Sequence, residues 1–361
     1  MQKGVFSMKK WMAMMLAATM TAALFLTGCG TGKSEGTSSE KKTEDTKTKG
    51  DLMAACILGI GGRGDQGYND LIYSGMEKAK SELGVAFDFS EPKQVTDYEL
   101  ILRDMSESAK YGVIVCVGFD QQDPLKKVSK DYPEQKYAII DGKVEGANVV
   151  CYSCKEQEGS FMVGALAALM KKQAGAYKVK DNHQYGFVGA LESPLIKRFA
   201  AGYQAGAKHI DEQARVDISF VSGDKPFSDT ATAKEIANSQ FAKGTDIIYH
   251  AAGGSGLGVF TAAKESGFVA IGCNSNQNRI DPDHIVASML KRVDTAAFEI
   301  VKSAKEGKLE GGTAVVLGIA DEGIGYTLEG SNIRISDEIK KQLDEIQQKI
   351  IKGEIKVPDA L

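Results

Sequence analysis

Leu52-Met53-Ala54-Ala55-Cys56-Ile57-Leu58 is a continuous apolar run that stops at Gly59-Ile60-Gly61-Gly62-Arg63-Gly64, and from Asn69 onward Leu71, Ile72, Met76, Ala79 and Leu83 recur at helical spacing until Gly84. A short apolar run bounded by glycines predicts a buried strand, and apolar residues three and four apart predict one face of an amphipathic helix. The stretch is a strand-loop-helix unit, and the unit recurs. Strand Val85 to Phe89, helix Tyr98 to Tyr111, strand Val113 to Val117, helix Pro124 to Lys130, strand Tyr137 to Ile140 and strand Asn148 to Tyr152 follow. A second series runs through helix Glu158 to Lys172, strand Tyr185 to Gly189, helix Pro194 to Ile210, strand Val216 to Val221, helix Thr230 to Lys243, strand Asp246 to Tyr249, helix Gly256 to Ser266 and strand Phe268 to Gly272. Apolar strands alternating with helices predict parallel sheets covered on both faces. Two series of this α/β class predict two similar lobes, with ligands in a crevice at the C-terminal ends of the strands.

Upstream of this region the chain reads differently. Lys9 and Lys10 precede an apolar run from Trp11 to Leu26, and Leu26-Thr27-Gly28-Cys29 closes it with small residues ahead of a cysteine. That order is a lipoprotein processing site, with residues 1–28 as signal peptide and Cys29 as the lipidated residue. Met8 offers an alternative start. The run of sixteen residues spans roughly 24 Å as a helix, short of the roughly 30 Å of a bilayer core. The expected attachment is therefore lipid on Cys29, at the extracytoplasmic face of the cell membrane. After Cys29, residues 30–50 are Ser, Thr, Lys, Glu, Gly and one Asp, with no large apolar side chain, which predicts a disordered tether over 29–50.

The remaining 51–361 is long enough for two lobes of ordinary domain size. Removing Lys3, Lys9 and Lys10, with no acid among residues 1–28, moves the formal net charge from −4 to −7. Such a balance points away from nucleic acid as a partner. Of six cysteines, five remain beside Cys29, an odd number that argues against a disulfide framework. Cys151 and Cys154 have redox spacing, but at i and i+3 of a strand they face opposite ways. His183, His209, His250 and His284 lie far apart without paired metal-ligand spacing, so no metal is expected.

The loop after the first strand satisfies G-x-G-x-x-G at Gly59, Gly61 and Gly64, and Asp88 falls where a ribose-binding acid would follow. Its continuation as Asp65-Gln66-Gly67-Tyr68-Asn69 would put a pyrophosphate about five residues from the helix start, so a small-ligand loop and a structural glycine turn compete with a dinucleotide site. Four more strand ends carry acids, amides, aromatics or bare backbone: Gly118-Phe119-Asp120-Gln121, Lys225-Pro226-Phe227-Ser228-Asp229, His250 to Gly256, and Gly272-Cys273-Asn274-Ser275-Asn276-Gln277. Any one of them reads equally as a turn, with Asp229 or Ser255 capping a helix. Their recurrence in the same position of successive units points to one cleft.

At Asp65 to Asn69, Tyr132-Pro133-Glu134-Gln135-Lys136-Tyr137-Ala138-Ile139-Ile140-Asp141, Gln157 to Phe161 with Gly164, Ala251 to Gly258, Ile271 to Gln277 and Ser288 to Asp294, the chain resembles the basic membrane protein family. This is the purine nucleoside receptor type of ABC-transporter substrate-binding lipoprotein, and the resemblance runs from about Leu52 to Ile355. It implies a type I periplasmic-binding-protein fold, two Rossmann-like lobes with parallel sheets joined by crossover strands. The implied N-terminal lobe is 51–152 plus about 284–312 and the C-terminal lobe 153–283 plus about 313–361, with the helix from Val293 to Glu306 in the first. Carried over by motif, Tyr68 and Phe227 stack on a base, Asn69 and Asp120 meet its edge, Asn274 and Lys291 contact ribose, Gly254 allows close backbone approach, and Asp65 completes the set. Many relatives carry Asp in place of Asn274 and Asn276. Facing two ribose hydroxyls, an amide can donate to one and accept from the other where a carboxylate accepts from both, so sugar preference is expected to differ.

The expected function is a monomeric, membrane-tethered, extracytoplasmic receptor that closes on a purine nucleoside and hands it to an ABC permease. No catalytic residue and no cofactor is expected. An exported enzyme remains open beside it, either a nucleoside hydrolase built on the Asp281, Asp283 and His284 cluster or a nicotinamide oxidoreductase using the Gly59 loop. So does a ligand-sensing lipoprotein of the same fold.

Overall fold

The first sheet of the computed structural model is assembled from β1 (Met53–Ile57), β2 (Ala86–Ser90), β3 (Val113–Val117), β4 (Tyr137–Ile140), β5 (Val149–Cys154) and β11 (Thr313–Leu317), in the order β11-β5-β4-β3-β1-β2 and parallel throughout. The structure describes residues 52–361; the expected signal peptide 1–28, the lipid site Cys29 and the tether 29–50 lie outside the described residues. Within β1, successive side chains part to opposite faces. Ala54 and Cys56 enter one core with Val113, Val115 and Val117, whereas Ala55 and Ile57 enter another with Ile114 and Cys116. Helices α1 (Tyr68–Leu83) and α9 (Val293–Lys305) cover the first face; α2 (Asp97–Glu107) and α3 (Gln122–Asp131) cover the second. A strand buried on both faces has no reason to alternate in polarity, and this is why the run is unbroken.

The second sheet repeats the plan with β6 (Gln184–Gly189), β7 (Arg215–Phe220), β8 (Ile247–Ala251), β9 (Val269–Asn274), β10 (Ile285–Lys291) and β12 (Ile324–Thr327), in the order β12-β10-β9-β8-β6-β7. Only β12 runs antiparallel, against β10. Helices α4 (Glu156–Lys172), α6 (Pro194–Ile210) and α10 (Asp337–Ile351) pack on one face, beside the short α5 (Ala174–Tyr177); α7 (Thr230–Ala242) and α8 (Leu257–Ser266) pack on the other. Helix α4 is buried from Gly159 to Lys171 because it lies between the sheet, α6 and α10. It approaches α6 backbone to backbone: a Cβ on Gly206 would stand 2.0 Å from the Phe161 carbonyl oxygen, and one on Gly164 2.2 Å from that of Tyr203.

The chain passes between the two sheets three times, from β5 into α4, from β10 into α9 and from β11 into β12. These crossings move the expected lobe boundaries. Ile285–Lys291, assigned to the N-terminal lobe by a boundary at about 284, pairs with β9 and belongs to the second sheet. Thr313–Leu317, assigned to the C-terminal lobe, pairs with β5 in the first, and residues 153 and 154 remain in β5. The physical reason is that each strand is laid down in full before the chain crosses, so the crossing lies at a strand's C-terminal end and not at its start. Among the described residues no helix is long and apolar enough to cross a membrane.

Candidate ligand-binding cleft

The C-terminal ends of both sheets open on one cleft, the place where open parallel sheets hold their ligands. From the first lobe it is lined by Gly59 to Gly61, Asp65, Tyr68 and Asn69 after β1, Gly118 to Asp120 after β3 and Asp141 after β4. From the second it is lined by Leu195, Ile196 and Phe199 of α6, Phe227 after β7, Ala251 at the end of β8 with Gly253 and Gly254 after it, Cys273 and Asn274 of β9 and Lys291 of β10. All eight side chains or backbones singled out in the sequence are brought together here.

Their partners differ. The Asp65 carboxylate accepts from the backbone N–H groups of Gly67 (2.9 Å), Asn69 (2.8 Å) and Asp70 (3.2 Å), so it shapes the entry to α1. Burial holds its carboxyl above the usual range against those donors. Asn69 accepts from the Gly59 N–H at 2.9 Å and donates to Asp65 at 3.3 Å, fastening the loop after β1 to the helix that follows it. One amide hydrogen of Asn69 is left for the cleft. Asp120 accepts the Tyr98 hydroxyl at 2.9 Å, and Tyr98 in turn accepts from the Ile60 N–H at 3.0 Å. Burial raises the Asp120 carboxyl as well, with the Tyr98 bond opposing it.

Phe227 is set by the loop after β8. Ser255 donates its N–H to the Phe227 carbonyl (3.1 Å) and its hydroxyl to that of Pro226 (2.8 Å), and accepts from the Asp229 N–H (2.8 Å). Asp229 also caps α7 through the Thr232 N–H. A Cβ on Gly254 would stand 3.1 Å from the Phe227 carbonyl oxygen, so the bare backbone lets the two loops seat together. Tyr68 crosses from the other lobe, its hydroxyl 3.4 Å from the Ile140 carbonyl oxygen; burial first, then the Asp141 charge, pushes the phenol well above its ordinary range.

Lys291 is buried at the junction of the lobes. Its ammonium lies 2.5 Å from Asp141 and 2.7 Å from Glu156, and 5.4 Å and 5.7 Å from the ring centroids of Tyr68 and Phe199. Glu156 is shared with Arg198 at 2.8 Å. Burial alone would lower the lysine; the charges of Asp141 and Glu156 outweigh it and hold the ammonium protonated. Asn274 adopts φ 69°, a left-handed conformation that Asn tolerates better than most side chains. Asn276 does not line the cleft: it donates to the Glu329 carbonyl and accepts from the Asn278 N–H within a turn.

Sequence reasoning missed Asp141, Glu156, Tyr98 and Phe199. Asp141 ends a stretch already singled out, and Phe199 follows a strand end of the same kind as the others. Elsewhere the alternatives separate from the cleft. Asp88 accepts from the Tyr111 hydroxyl at 2.6 Å and is not among the lining residues, so the acid of the dinucleotide pattern is spent on a local bond. Asp281 holds His284 at 3.0 Å and Asp283 accepts from Asn332, in a turn off the cleft. Among the described residues no group of three His, Cys, Asp or Glu side chains is placed to hold a metal. The five described cysteines are free and buried, with Cys151 in a core of the first lobe and Cys154, at the end of β5, in the core of the second.

Residues 54–360 match the family model Bmp, the ABC transporter substrate-binding protein PnrA-like. The chain is similar to the ABC transporter nucleoside-binding protein BmpA of Lactococcus lactis subsp. cremoris, 28% identical over 373 residues that cover 97% of this chain and 99% of that one. It is also similar to an uncharacterized lipoprotein of Pyrococcus abyssi, 33% identical over 301 residues, 81% of this chain and 72% of the relative. Among solved structures, a solute-binding protein of an ABC transporter system from Aeropyrum pernix K1 superposes with a TM-score of 0.77 at 31% identity, covering 85% of this chain and 94% of that one. Two α/β lobes with three crossings and a shared cleft are the type I periplasmic-binding-protein fold. The chain belongs to the Bmp family of PnrA-like ABC transporter substrate-binding proteins.

Proposed function

We propose that this substrate-binding protein is a receptor tethered by lipid on Cys29 to the outer side of the cell membrane, which closes on a purine nucleoside and delivers it to an ABC permease. The observation that carries the reading is the convergence of Tyr68 from one lobe and Phe227 from the other on a single cleft that also holds Asn69, Asp120, Asn274 and Lys291. A purine has two flat faces for the two rings, and each stacked ring contributes about 0.5–1.5 kcal/mol beyond burial. The remaining amide hydrogen of Asn69 and the Asp120 carboxylate serve the base edge; Asn274 and Lys291 serve the ribose. A base with the wrong edge leaves these groups buried and unpaired, which is the source of selectivity. A micromolar dissociation constant, about −8 kcal/mol, is within reach of such contacts after the cost of closure. Binding makes and breaks no bond. The nucleoside-binding relative in Lactococcus and the lipoprotein relative in Pyrococcus support the ligand class and the anchor.

Calorimetry of the purified protein with adenosine, guanosine, inosine, cytidine and the free bases tests the ligand. Micromolar binding of a purine nucleoside, recovered intact, is expected; no heat with any nucleoside rejects the reading. For the anchor, Cys29→Ser is expected to move the protein from the membrane fraction to the soluble one, and unchanged membrane association rejects lipid on Cys29.

A further inference from the structure

We infer that Glu156 is a positioning residue of the receptor, which holds the ammonium of Lys291 in place from the joint between the lobes; for its probe this rests on the nucleoside reading above. Glu156 opens α4, is fully buried and does not line the cleft. One carboxylate oxygen stands 2.7 Å from the Lys291 ammonium and the other 2.8 Å from Arg198. Arg198 also donates to the carbonyl of Cys154, the last residue of β5, at 3.2 Å. The carboxylate is thus fixed from behind and aimed at a lysine that does line the cleft.

The pair closes a triangle among the three crossings. The Lys155 N–H donates to the Leu317 carbonyl at 2.8 Å, prolonging the β5–β11 ladder, and ties the first crossing to the third. The Arg292 N–H donates to the Gly323 carbonyl at 2.9 Å, prolonging the β10–β12 ladder, and ties the second to the third. Strands β5 and β10 lie in different sheets, so no ladder joins the first crossing to the second. Glu156, just past the first, and Lys291, just ahead of the second, supply that side. The other carboxylate on Lys291 is Asp141, which follows β4 in the opposite lobe and accepts from Tyr68 as well. Glu156 shares a lobe with the lysine, so it sets where the ammonium stands in that lobe, while Asp141 bonds it across the cleft. The flexible stem of a lysine does not place its charge unaided. Without Glu156 the ammonium is drawn toward Asp141, and a binding group has to stay within about 0.5 Å of its productive place.

Glu156→Met keeps the volume and removes the acceptor, and it is read in two ways. Crystal structures of the unliganded wild-type and variant proteins are expected to show the Lys291 ammonium moved toward Asp141 by more than about 0.5 Å; an ammonium in its wild-type place overturns the inference. Calorimetry then compares the wild-type protein, Glu156→Met, Lys291→Met and the double variant, with whichever of adenosine, guanosine and inosine binds the wild-type protein most tightly. Glu156→Met is expected to weaken binding about tenfold, within the range of coupling between residues in contact. In the Lys291→Met background the same substitution is expected to change affinity by less than about twofold, because the residue it acts through is gone. A role in the fold alone would not depend on what stands at position 291. Equal weakening in both backgrounds, or none in either, therefore overturns the inference. Wild-type protein that binds no nucleoside rejects the reading beneath it instead, and the crystal structures then decide the inference by themselves. Should Glu156→Met fail to fold, Glu156→Gln takes its place in both measurements, since one amide has a single acceptor for two cations and must turn its NH2 to one of them.

Discussion

Phe227 stands on a loop held from behind by Ser255 and is only half-buried, resting against the edges of both cores of its lobe while it lines the cleft. Phe227→Ala is therefore expected to weaken nucleoside binding at least tenfold, about 1.4 kcal/mol, while the melting of the unliganded protein shifts little; equal affinity in calorimetry removes the stacking assignment. His250 makes the opposite case, a side chain of the same strand ends that is wholly interior. Burial lowers it to about 4, with its bond to Gln277 at 3.0 Å opposing the shift, so the folded protein carries it neutral. The unfolded chain binds a proton near pH 6.5 and the folded one does not until about 4. Stability from this residue is thus complete above pH 6.5 and is lost as pH falls from there to about 4, by about 1.4 kcal/mol per pH unit. Denaturant titrations across that window are expected to show the slope in the wild-type protein and a shallower one in His250→Gln; identical slopes refute it.

The α4–α6 contact shows what one added methyl group does to an element. Gly164 and Gly206 let the two backbones meet, and a Cβ at Gly206 would fall 2.0 Å from a carbonyl oxygen that belongs to a rigid helix and has nowhere to move. Gly206→Ala is expected to cost about 1–3 kcal/mol or more as overpacking, read as a lower denaturant midpoint, although alanine is the better helix former. A midpoint at or above wild type would mean that the helices separate freely. Most elements of both lobes were legible because their signals are local: an unbroken run such as Val113 to Val117, or apolar spacing such as Leu71, Ile72, Met76 and Ala79. Helix α10 was legible and overlooked, since Ser336 caps it and Ile339, Leu343, Ile346 and Ile350 mark its buried face. The membership of β10 and β11 was not, because nothing in Ile285–Lys291 or Thr313–Leu317 says which of two similar sheets a strand will join. The cleft followed the same division. Its loops come from strand ends and were found, while the pairing of Lys291 with Asp141, 150 residues apart, exists only after both lobes have folded.

At the scale of the whole molecule, what distinguishes a receptor from a pair of lobes is that ligand binding and closure are coupled. The contacts that join the lobes away from the cleft show where closure is stabilised. The Gln66 carbonyl, on the loop after β1, accepts from the Ser275 hydroxyl at 2.5 Å and from the Gln277 amide at 3.2 Å, both on the loop after β9. Ser275 and Gln277 do not line the cleft, so this double bond to one oxygen bears on closure without touching the ligand. A hinge that opens by separating the lobes must break both bonds, and the ligand enters before they form. Ser275→Ala removes one of them, a neutral bond with a net contribution of about 0.5–1.5 kcal/mol. The variant is therefore expected to release nucleoside roughly two- to tenfold faster at an unchanged association rate, since the loss falls on the closed state alone. Association and displacement kinetics measured side by side decide the matter: a slower association with unchanged release would place the Gln66 contact in the open state, and closure would then have to be stabilised by the ligand and the Lys291 network alone.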